Sequence, residues 1–120
     1  MAKVLVVDDQ DTYRRYLKLE LEDEGHEVRT AGSGHEAIDI GTDFKPDVLV
    51  VDWMLKDDYD GLDVTNAIRQ VVPSLKTVMI TGYPSAELKQ KAAQSRIARF
   101  VKKPFTLADI VENVRAVLAE

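Results

Sequence analysis

Two short runs of valine and leucine, each ending directly at acidic residues, constrain the fold of this chain most strongly. Residues 4–7 read Val-Leu-Val-Val and precede Asp8 and Asp9, and residues 48–51 repeat those four letters before Asp52. Short, continuous runs of this kind are typical of strands buried on both faces of a parallel sheet. Open sheets of that class bind ligands at the carboxyl ends of their strands. The pattern therefore predicts that the three carboxylates meet in one crevice at that edge.

Three carboxylates in one crevice repel one another unless a cation or bound protons relieve the repulsion. A hard divalent cation with oxygen ligands is the natural partner of such a group. The sequence thus predicts a divalent cation site at Asp8, Asp9 and Asp52.

Length and composition set the class of protein. With 120 residues, 45% hydrophobic and 31% charged, the chain is predicted to form a single domain over residues 1–120. No apolar stretch approaches the roughly 20 residues needed to cross a bilayer, and a net charge of −5 argues against direct binding of nucleic acid. The absence of cysteine excludes disulfides, thiolate metal sites and cysteine catalysis. We therefore expect a cytoplasmic domain that binds neither membranes nor nucleic acid directly.

Apolar runs alternate with longer amphipathic stretches along the chain, which is the pattern of βα repeats around a parallel sheet. The sequence predicts five strands, at 4–7, 27–30, 48–51, 77–80 and 99–101. The second strand is short and polar, which suits the edge of the sheet. Five helices are predicted between and after the strands, beginning near Asp11, Ser33, Leu62, Pro84 and Thr106. The third is predicted to carry Val71 on its apolar side and to end at Pro73.

Local signals predict where several of these helices begin and end. Residues 11–12 are predicted to cap the first helix and Gly25 to end it. Its apolar face is predicted to carry Tyr13, Tyr16, Leu17 and Leu21. One capping box is predicted at residues 33–36, where it opens the second helix, and another at residues 106–109, where it opens the last one. Gly41 is predicted to end the second helix. Residues 53–60 show no regular period and are predicted to form a loop.

Five polar side chains follow the central strands at their carboxyl ends, namely Asp8, Asp9, Asp52, Thr81 and Lys103. A carboxylate can attack an electrophilic phosphorus and form an aspartyl phosphate. Such a transfer also needs a divalent cation, a fixed ammonium group and a hydroxyl or amide donor around the phosphoryl oxygens. The set contains every protein part that this chemistry requires, with Asp9 and Asp52 for the metal and Lys103 and Thr81 for the oxygens.

Four motifs carry a resemblance to a known family. They are VLVVDDQ with the acidic pair, VLVVDWM with Asp52, VMITG with Thr81 and FVKKPF with Lys103, in that order along the chain. Together they resemble the receiver, or phosphoacceptor, domain of two-component response regulators in the CheY-like superfamily. The resemblance implies an α/β fold of flavodoxin-like topology, with a doubly wound, five-stranded parallel sheet of order 2-1-3-4-5 flanked by five helices.

The resemblance implies that Asp52 accepts a phosphoryl group from a phosphohistidine on a sensor histidine kinase or phosphotransfer protein. Thr81 and Lys103 then complete the catalytic set, and Mg²⁺ is the cofactor. The implied metal ligands are Asp8, Asp9, Asp52 and the backbone carbonyl of Met54. A cis peptide bond between Lys103 and Pro104 is also implied, and X-Pro bonds have only a small preference for trans.

The same resemblance implies a signalling switch. Phosphorylation would draw Thr81 toward the phosphoryl group and turn Phe100 inward, which shifts the population between two states. The change would alter binding of a downstream protein target that the sequence does not identify, and a homodimer formed on activation is left open. Met54 and Tyr83 flank the line of attack by water, and both are bulky and unable to orient it. We therefore expect slow self-dephosphorylation.

Two features depart from the family pattern. Lys56 stands where proline is usual, and Gly61 lies nine residues after Asp52 instead of eight, so the loop is one residue longer and more acidic. Arg96 and Ile97 precede the fifth strand, where Gly-Ala is common. The longer loop keeps one alternative open, a pseudo-receiver that acts as a phosphorylation-independent protein-interaction module.

Two other phosphate-binding classes fit the sequence less well. A flavodoxin-like protein that binds FMN needs a loop rich in Gly, Ser or Thr after its first strand. This chain has Asp8 and Asp9 there, which would repel phosphate. A haloacid-dehalogenase-like phosphatase needs an Asp-x-Asp motif, but Met54 stands two residues after Asp52.

Overall fold

The computed structural model describes residues 2–82 and 85–120. In these ranges the elements are β1 (Lys3–Val7), α1 (Asp11–Asp23), β2 (Glu27–Ala31), α2 (Gly34–Phe44), β3 (Val48–Asp52), α3 (Gly61–Arg69), β4 (Lys76–Thr81), α4 (Ala86–Gln94), β5 (Arg99–Lys102) and α5 (Leu107–Leu118). The strands form a sheet of order β2-β1-β3-β4-β5 in which neighbouring strands are parallel. This confirms the predicted fold class and strand order. No helix in the described ranges is long and apolar enough to span a bilayer.

The register of the central strands brings the predicted site residues to one edge of the sheet. Val7 of β1 lies opposite Val51 of β3, so the acids that follow both strands emerge side by side. Asp52 is the last residue of β3. Thr81, at the end of β4, lies opposite Lys102 of β5. The carboxyl ends of four neighbouring strands therefore surround one space.

Two apolar clusters pack against the sheet, one on each face. Val4 and Val6 of β1 belong to the cluster formed with α1 and α5, whereas Leu5 and Val7 belong to the cluster formed with α2 and α3. All four side chains are buried. Because both faces of the central strands are covered, these strands have no polar alternation in their sequence. The edge strand β2 does alternate, with buried Val28 and exposed neighbours on either side.

The start of α1 differs from the sequence prediction. Gln10 occupies the cap position without a side-chain hydrogen bond, and Asp11 is already helical. The carboxylate of Asp11 contacts Arg15 one turn later, at 2.7 Å. Acidic residues are favoured both at the cap of a helix and in its first turn, where they interact with the helix dipole. The predicted cap was wrong because the presence of an acid does not distinguish between these two positions.

The apolar face of α1 is narrower than predicted. Leu17 and Leu21 are buried, whereas Tyr16 is 53% exposed, because it lies about 100° around the helix from Leu17. Tyr13 is also partly exposed and packs on Phe105, with the ring centroids 5.5 Å apart. Both tyrosines therefore contribute little to the core.

Gly41 does not end α2 as predicted, because the helix continues to Phe44. A Cβ atom on Gly41 would lie 2.4 Å from Cδ1 of Ile68 in α3 and 3.2 Å from Cδ2 of Leu5. This glycine therefore allows close packing of α2 on α3 and on the sheet. The helix ends at Lys45, which has a left-handed backbone with φ of 55°.

The third helix is shorter than predicted at its end. It stops at Arg69, so Val71 lies beyond it and is exposed instead of contributing to its apolar side. The buried positions of α3 are Gly61, Leu62, Val64, Thr65 and Ile68.

Other local signals at the helix ends agree with the structure. Gly25 follows the last turn of α1 with φ of 93°, as predicted for the end of that helix. Thr106 and Asp109 form the complete capping box predicted at the start of α5. At α2, Ser33 Oγ accepts the backbone N–H of Glu36 at 3.1 Å, as predicted. The carboxylate of Glu36, however, accepts the N–H of Gly32 at 2.9 Å. The second half of that box is thus shifted by one residue.

Candidate active site

A crevice of about 300 Å³ opens at the carboxyl edge of the sheet. It is lined by Asp9, Gln10, Asp52, Trp53, Met54, Thr81, Gly82 and Lys103. The structure thus brings four of the five predicted polar residues together around one space. The fifth, Asp8, precedes Asp9 in the sequence and is almost fully buried.

Asp52 lies at the centre of this crevice and is 5% exposed. Its Oδ2 atom forms an ion pair with the ammonium group of Lys103. Its Oδ1 atom accepts the backbone N–H of Met54 at 3.2 Å. Both carboxylate oxygens therefore have a donor, which holds the carboxylate in one orientation.

The backbone of the loop after β5 places Lys103. Its N–H group donates to the carbonyl of Thr81 at 2.9 Å. The Lys103–Pro104 peptide bond is cis, as the resemblance implied. The side chain of Lys103 reaches across β4 to Asp52 at the end of β3.

The negative charges in the crevice raise the pKa of Lys103. Burial alone lowers the pKa of its ammonium group, but the hydrogen bond to Asp52 and the negative charges of Asp52, Asp8 and Asp9 outweigh burial and raise the pKa above 10.5. The lysine is therefore a permanent cation at neutral pH. A fixed positive charge of this kind is suited to binding an anionic oxygen.

Asp8 carries an electrostatic cost. Its Oδ1 atom accepts the N–H of Gln10 at 2.8 Å, whereas its buried Oδ2 atom has no hydrogen-bond partner among the described residues. Burial, helped by repulsion from Asp52 and Asp9, raises the pKa of Asp8 above its ordinary value despite the Gln10 bond. A cation bound beside Oδ2 would relieve this cost.

The donor set fits a hard divalent cation in its chemistry but is not assembled around one. Asp8, Asp9 and Asp52 present carboxylate oxygens, and one of these oxygens is buried without a hydrogen-bond partner in the part of the chain that the structure describes. In the described parts of the chain, however, no three acidic or histidine side chains are placed to hold one ion together. Lys103 occupies Oδ2 of Asp52 instead. Binding of an ion by all three acids therefore requires the side chains to rearrange.

The remaining predicted residues lie at different depths. Thr81 is buried at the end of β4, whereas the side chain of Met54 is 70% exposed at the rim of the crevice. Phe100 of β5 is 40% exposed and so lies in an outward orientation. Tyr83, which the sequence placed beside the line of attack by water, lies outside the described residues, as does Pro84.

Sequence reasoning missed two residues that position the acidic pair. Gln10 donates its N–H to Asp8 and lines the crevice. Arg14 donates from Nη1 to the backbone carbonyl of Asp8. The available signal was spacing, because Arg14 follows Gln10 by one helical turn and so returns to the same end of α1.

A larger cleft of about 380 Å³ lies away from this chemistry, at the amino ends of β4 and β5. The guanidinium group of Arg69, which lines this cleft, donates to the backbone carbonyls of Leu75, at 3.0 Å, and Arg96, at 2.9 Å. The donors of Arg69 are thus used to hold two loops together, so this cleft is a structural feature.

We expect Asp8→Asn to stabilise the metal-free protein, because it removes a buried charge and its repulsion while its amide oxygen keeps the bond from Gln10. A gain of about 1 kcal/mol corresponds to a melting temperature raised by roughly 4 °C in a chain of this size. Since the pKa of Asp8 is raised in the folded state, its cost is absent below 3.8, grows as the pH rises from 3.8 to the folded value and is complete above that value.

Thermal unfolding at several pH values tests this expectation. The gain should be greatest at neutral pH and vanish in acid. The matched control is Asp43→Asn, which makes the same change of charge on an exposed part of α2. An unchanged or lower melting temperature for Asp8→Asn at neutral pH would show that the Asp8 carboxylate does not destabilise the folded protein.

Comparisons with known proteins agree with this geometry. The chain is 35% identical over 96% of its length to the probable transcriptional regulatory protein TcrX of Mycobacterium tuberculosis, covering 49% of that protein. It is 31% identical over 98% of its length to the virulence transcriptional regulatory protein PhoP of Salmonella typhimurium, covering 52%. The chain thus spans about half the length of these curated relatives.

Solved structures show the same fold over nearly the whole chain. A CheY-like response regulator receiver domain protein from Methanospirillum hungatei superposes with a TM-score of 0.91 at 25% identity, covering 99% of this chain and 94% of that one. The chemotaxis protein CheY4 of Vibrio cholerae superposes with a TM-score of 0.88 at 29% identity, covering 98% of each chain. The family model of the response regulator receiver domain matches residues 4–115. On this match, the chain belongs to the response regulator receiver domain family.

Proposed function

We propose that this domain is a phosphorylation-dependent switch in which Asp52 accepts a phosphoryl group from a phosphohistidine. The donor would be a sensor histidine kinase or a phosphotransfer protein. The observation that carries the proposal is the ion pair between Asp52 and Lys103, which joins a buried carboxylate on β3 to a cation beyond β5 inside an open crevice. A nucleophile and a cation for the developing charge are thus already in contact.

Each residue has a role in the proposed transfer. A carboxylate oxygen of Asp52 forms a bond to phosphorus while the bond from phosphorus to the histidine nitrogen breaks, and the electron pair stays on the imidazole. Formation of the acyl phosphate removes the negative charge of the carboxylate group itself, so the ammonium of Lys103 becomes available to a phosphoryl oxygen. The hydroxyl of Thr81, buried at the end of β4, would donate to another oxygen.

Mg²⁺ is the proposed cofactor, held by Asp8, Asp9, Asp52 and the backbone carbonyl of Met54. When bound, it supplies positive charge that neutralises the phosphoryl oxygens. The Oδ2 atom of Asp8 supports this assignment, because it is buried without a hydrogen-bond partner among the described residues, which is costly for a carboxylate oxygen. Lys103 must move away from Asp52 before Mg²⁺ can bind there. The side chain of Lys103 is partly exposed and so has room to move.

The proposed output is a change in partner binding through Thr81 and Phe100. Phe100 is on the outside of β5 and 40% exposed, so it has room to change its orientation and exposure. Movement of Thr81 toward a phosphoryl group would leave space behind it at the end of β4. The curated relatives TcrX and PhoP are named as transcriptional regulatory proteins. For this domain we propose a protein target, because its net charge of −5 disfavours nucleic acid.

Intact mass spectrometry tests the proposed function. The wild-type protein is incubated with Mg²⁺ and a small acyl phosphate, with a parallel sample in excess chelator. We expect the mass to rise by one phosphoryl group with Mg²⁺ and to remain unchanged with chelator. An unmodified mass in both samples, with a cognate kinase also inactive as donor, would favour the pseudo-receiver alternative.

A further inference from the structure

The longer loop between β3 and α3 is attached to the start of α2 through Asp57. The carboxylate of Asp57 accepts the backbone N–H of Gly34 at 3.1 Å through Oδ1 and that of His35 at 2.8 Å through Oδ2. These residues are more than 20 positions apart in sequence, so the contact joins two separate elements. We call these two hydrogen bonds the Asp57 contact.

The Asp57 contact completes the cap of α2. The first N–H groups of a helix have no acceptor inside the helix and need one from elsewhere. Here Ser33 supplies the acceptor for Glu36, and Asp57 supplies acceptors for Gly34 and His35. The hydrogen bond from His35 holds the pKa of Asp57 below its ordinary value, so the carboxylate stays charged at neutral pH.

A glycine makes the close approach of this loop possible. A Cβ atom on Gly34 would lie 2.5 Å from Cβ of Tyr59 and 3.0 Å from Oδ1 of Asp57. Any larger residue would push the loop away from α2. Two independent features therefore hold the loop against α2. One is the pair of hydrogen bonds that the charged carboxylate of Asp57 accepts, and the other is the close steric fit at Gly34.

The same loop begins at the phosphoacceptor. The N–H of Met54 donates to Oδ1 of Asp52, and the N–H of Trp53 donates to the carbonyl of Ile80 at 2.8 Å. At its other end, Gly61 donates to the carbonyl of Trp53 at 3.0 Å. Both ends are thus held near the sheet, and the Asp57 contact holds the middle. A longer loop has more conformations to lose, so an added attachment keeps its first residues in place.

We propose that Asp57 is a positioning residue for the phosphoacceptor site, which holds Met54 in place by fixing the loop to α2. The inference rests on the proposed function, because Met54 contributes its N–H to Asp52 and its carbonyl to the proposed metal site. Residues that orient metal ligands from behind typically change affinity by about 10- to 100-fold when replaced. For a loop attachment three residues from the ligand, we expect the lower end of that range.

The test compares Asp57→Ala with Asp58→Ala, a matched removal of one negative charge from the exposed neighbour in the same loop. The first readout is Mg²⁺ affinity without phosphodonor, followed by fluorescence of Trp53, which lines the crevice. The second is the rate of phosphoryl uptake from a small acyl phosphate. The third is amide hydrogen exchange at Gly34 and His35, which reports the contact itself.

We expect Asp57→Ala to weaken Mg²⁺ binding and slow uptake by about tenfold, with faster exchange at Gly34 and His35. Asp58→Ala should match the wild type. Asp57→Asn keeps one acceptor oxygen and should recover part of the loss, and Gly34→Ala should reproduce it from the opposite side of the contact. These two variants keep the test decisive if Asp57→Ala folds poorly.

The two possible failures are distinguishable. A wild-type protein that neither binds Mg²⁺ nor takes up a phosphoryl group overturns the proposed function and this inference with it. A functional wild type whose Asp57→Ala variant exchanges faster at Gly34 and His35, yet binds Mg²⁺ and reacts like Asp58→Ala, overturns this inference alone. In that case Asp57 is only a cap for α2.

Discussion

Asp52→Asn is expected to abolish phosphoryl uptake, with a loss of at least about a thousandfold. The amide that replaces the carboxylate has no nucleophilic oxygen and no negative charge to attract a cation. The fold should survive, because two effects oppose each other. Lys103 loses the charge of its partner, while buried Asp8 loses a repelling neighbour. We expect the stability to remain within about 1 kcal/mol of the wild type.

Intact mass measurement with Mg²⁺ and a small acyl phosphate distinguishes the acceptor from its neighbours. The control is Asp58→Asn, which makes the same chemical change on an exposed side chain of the following loop. This control should gain one phosphoryl group as the wild type does. A phosphoryl group retained by Asp52→Asn would place the acceptor elsewhere, with Asp9 as the next carboxylate that lines the crevice.

Gly61→Ala is expected to destabilise the fold by about 2 kcal/mol, which lowers the melting temperature by roughly 8 °C. A Cβ atom on Gly61 would lie 2.8 Å from the backbone carbonyl of Asp52 and 2.7 Å from Sδ of Met79, which is completely buried. Backbone at the end of a central strand has little freedom to move. The added methyl group must therefore displace either β3 or the start of α3.

Thermal unfolding compares this variant with Gly82→Ala as its control. A Cβ atom on Gly82 would meet nothing within 4 Å, so the same substitution there should change the melting temperature little. Because a Cβ atom at position 61 would press on the backbone of Asp52, the residue proposed to accept the phosphoryl group, we also expect Gly61→Ala to slow phosphoryl uptake. Equal melting temperatures for the two variants would show that the junction of β3 and α3 relaxes without cost.

The parts of the fold that sequence predicts best are those where one physical cause has one local signature. Strands buried on both faces must be apolar at every position, and the runs before Asp8 and Asp52 have this pattern. The polar second strand was predicted as an edge for the converse reason. The capping box of Thr106 and Asp109 was predicted because both partners lie within one turn.

The predictions that were wrong concern residues with several uses. A glycine can end a helix or allow another element to approach, and Gly41 has the second use although the first was predicted. An acid near a helix start can cap it or lie in its first turn, as Asp11 does. Tyr16 contains an aromatic ring but is exposed beside buried Leu17. For Gly41 the deciding neighbours, Ile68 and Leu5, lie in other elements, where no local pattern reveals them.

The amino-acid sequence by itself determined the parallel sheet and the set of residues at its carboxyl edge, since these depend on the alternation of apolar runs with amphipathic segments and on the residue that follows each run. The strand order was implied by the resemblance of four motifs to the receiver family. Only the tertiary structure decided which of those side chains touch. It paired Asp52 with Lys103, buried Oδ2 of Asp8 without a partner in residues 2–82 and 85–120, and joined Asp57 to the start of α2. Such contacts depend on distances between segments far apart in the chain, which packing of the whole core sets to within an ångström and no local pattern records.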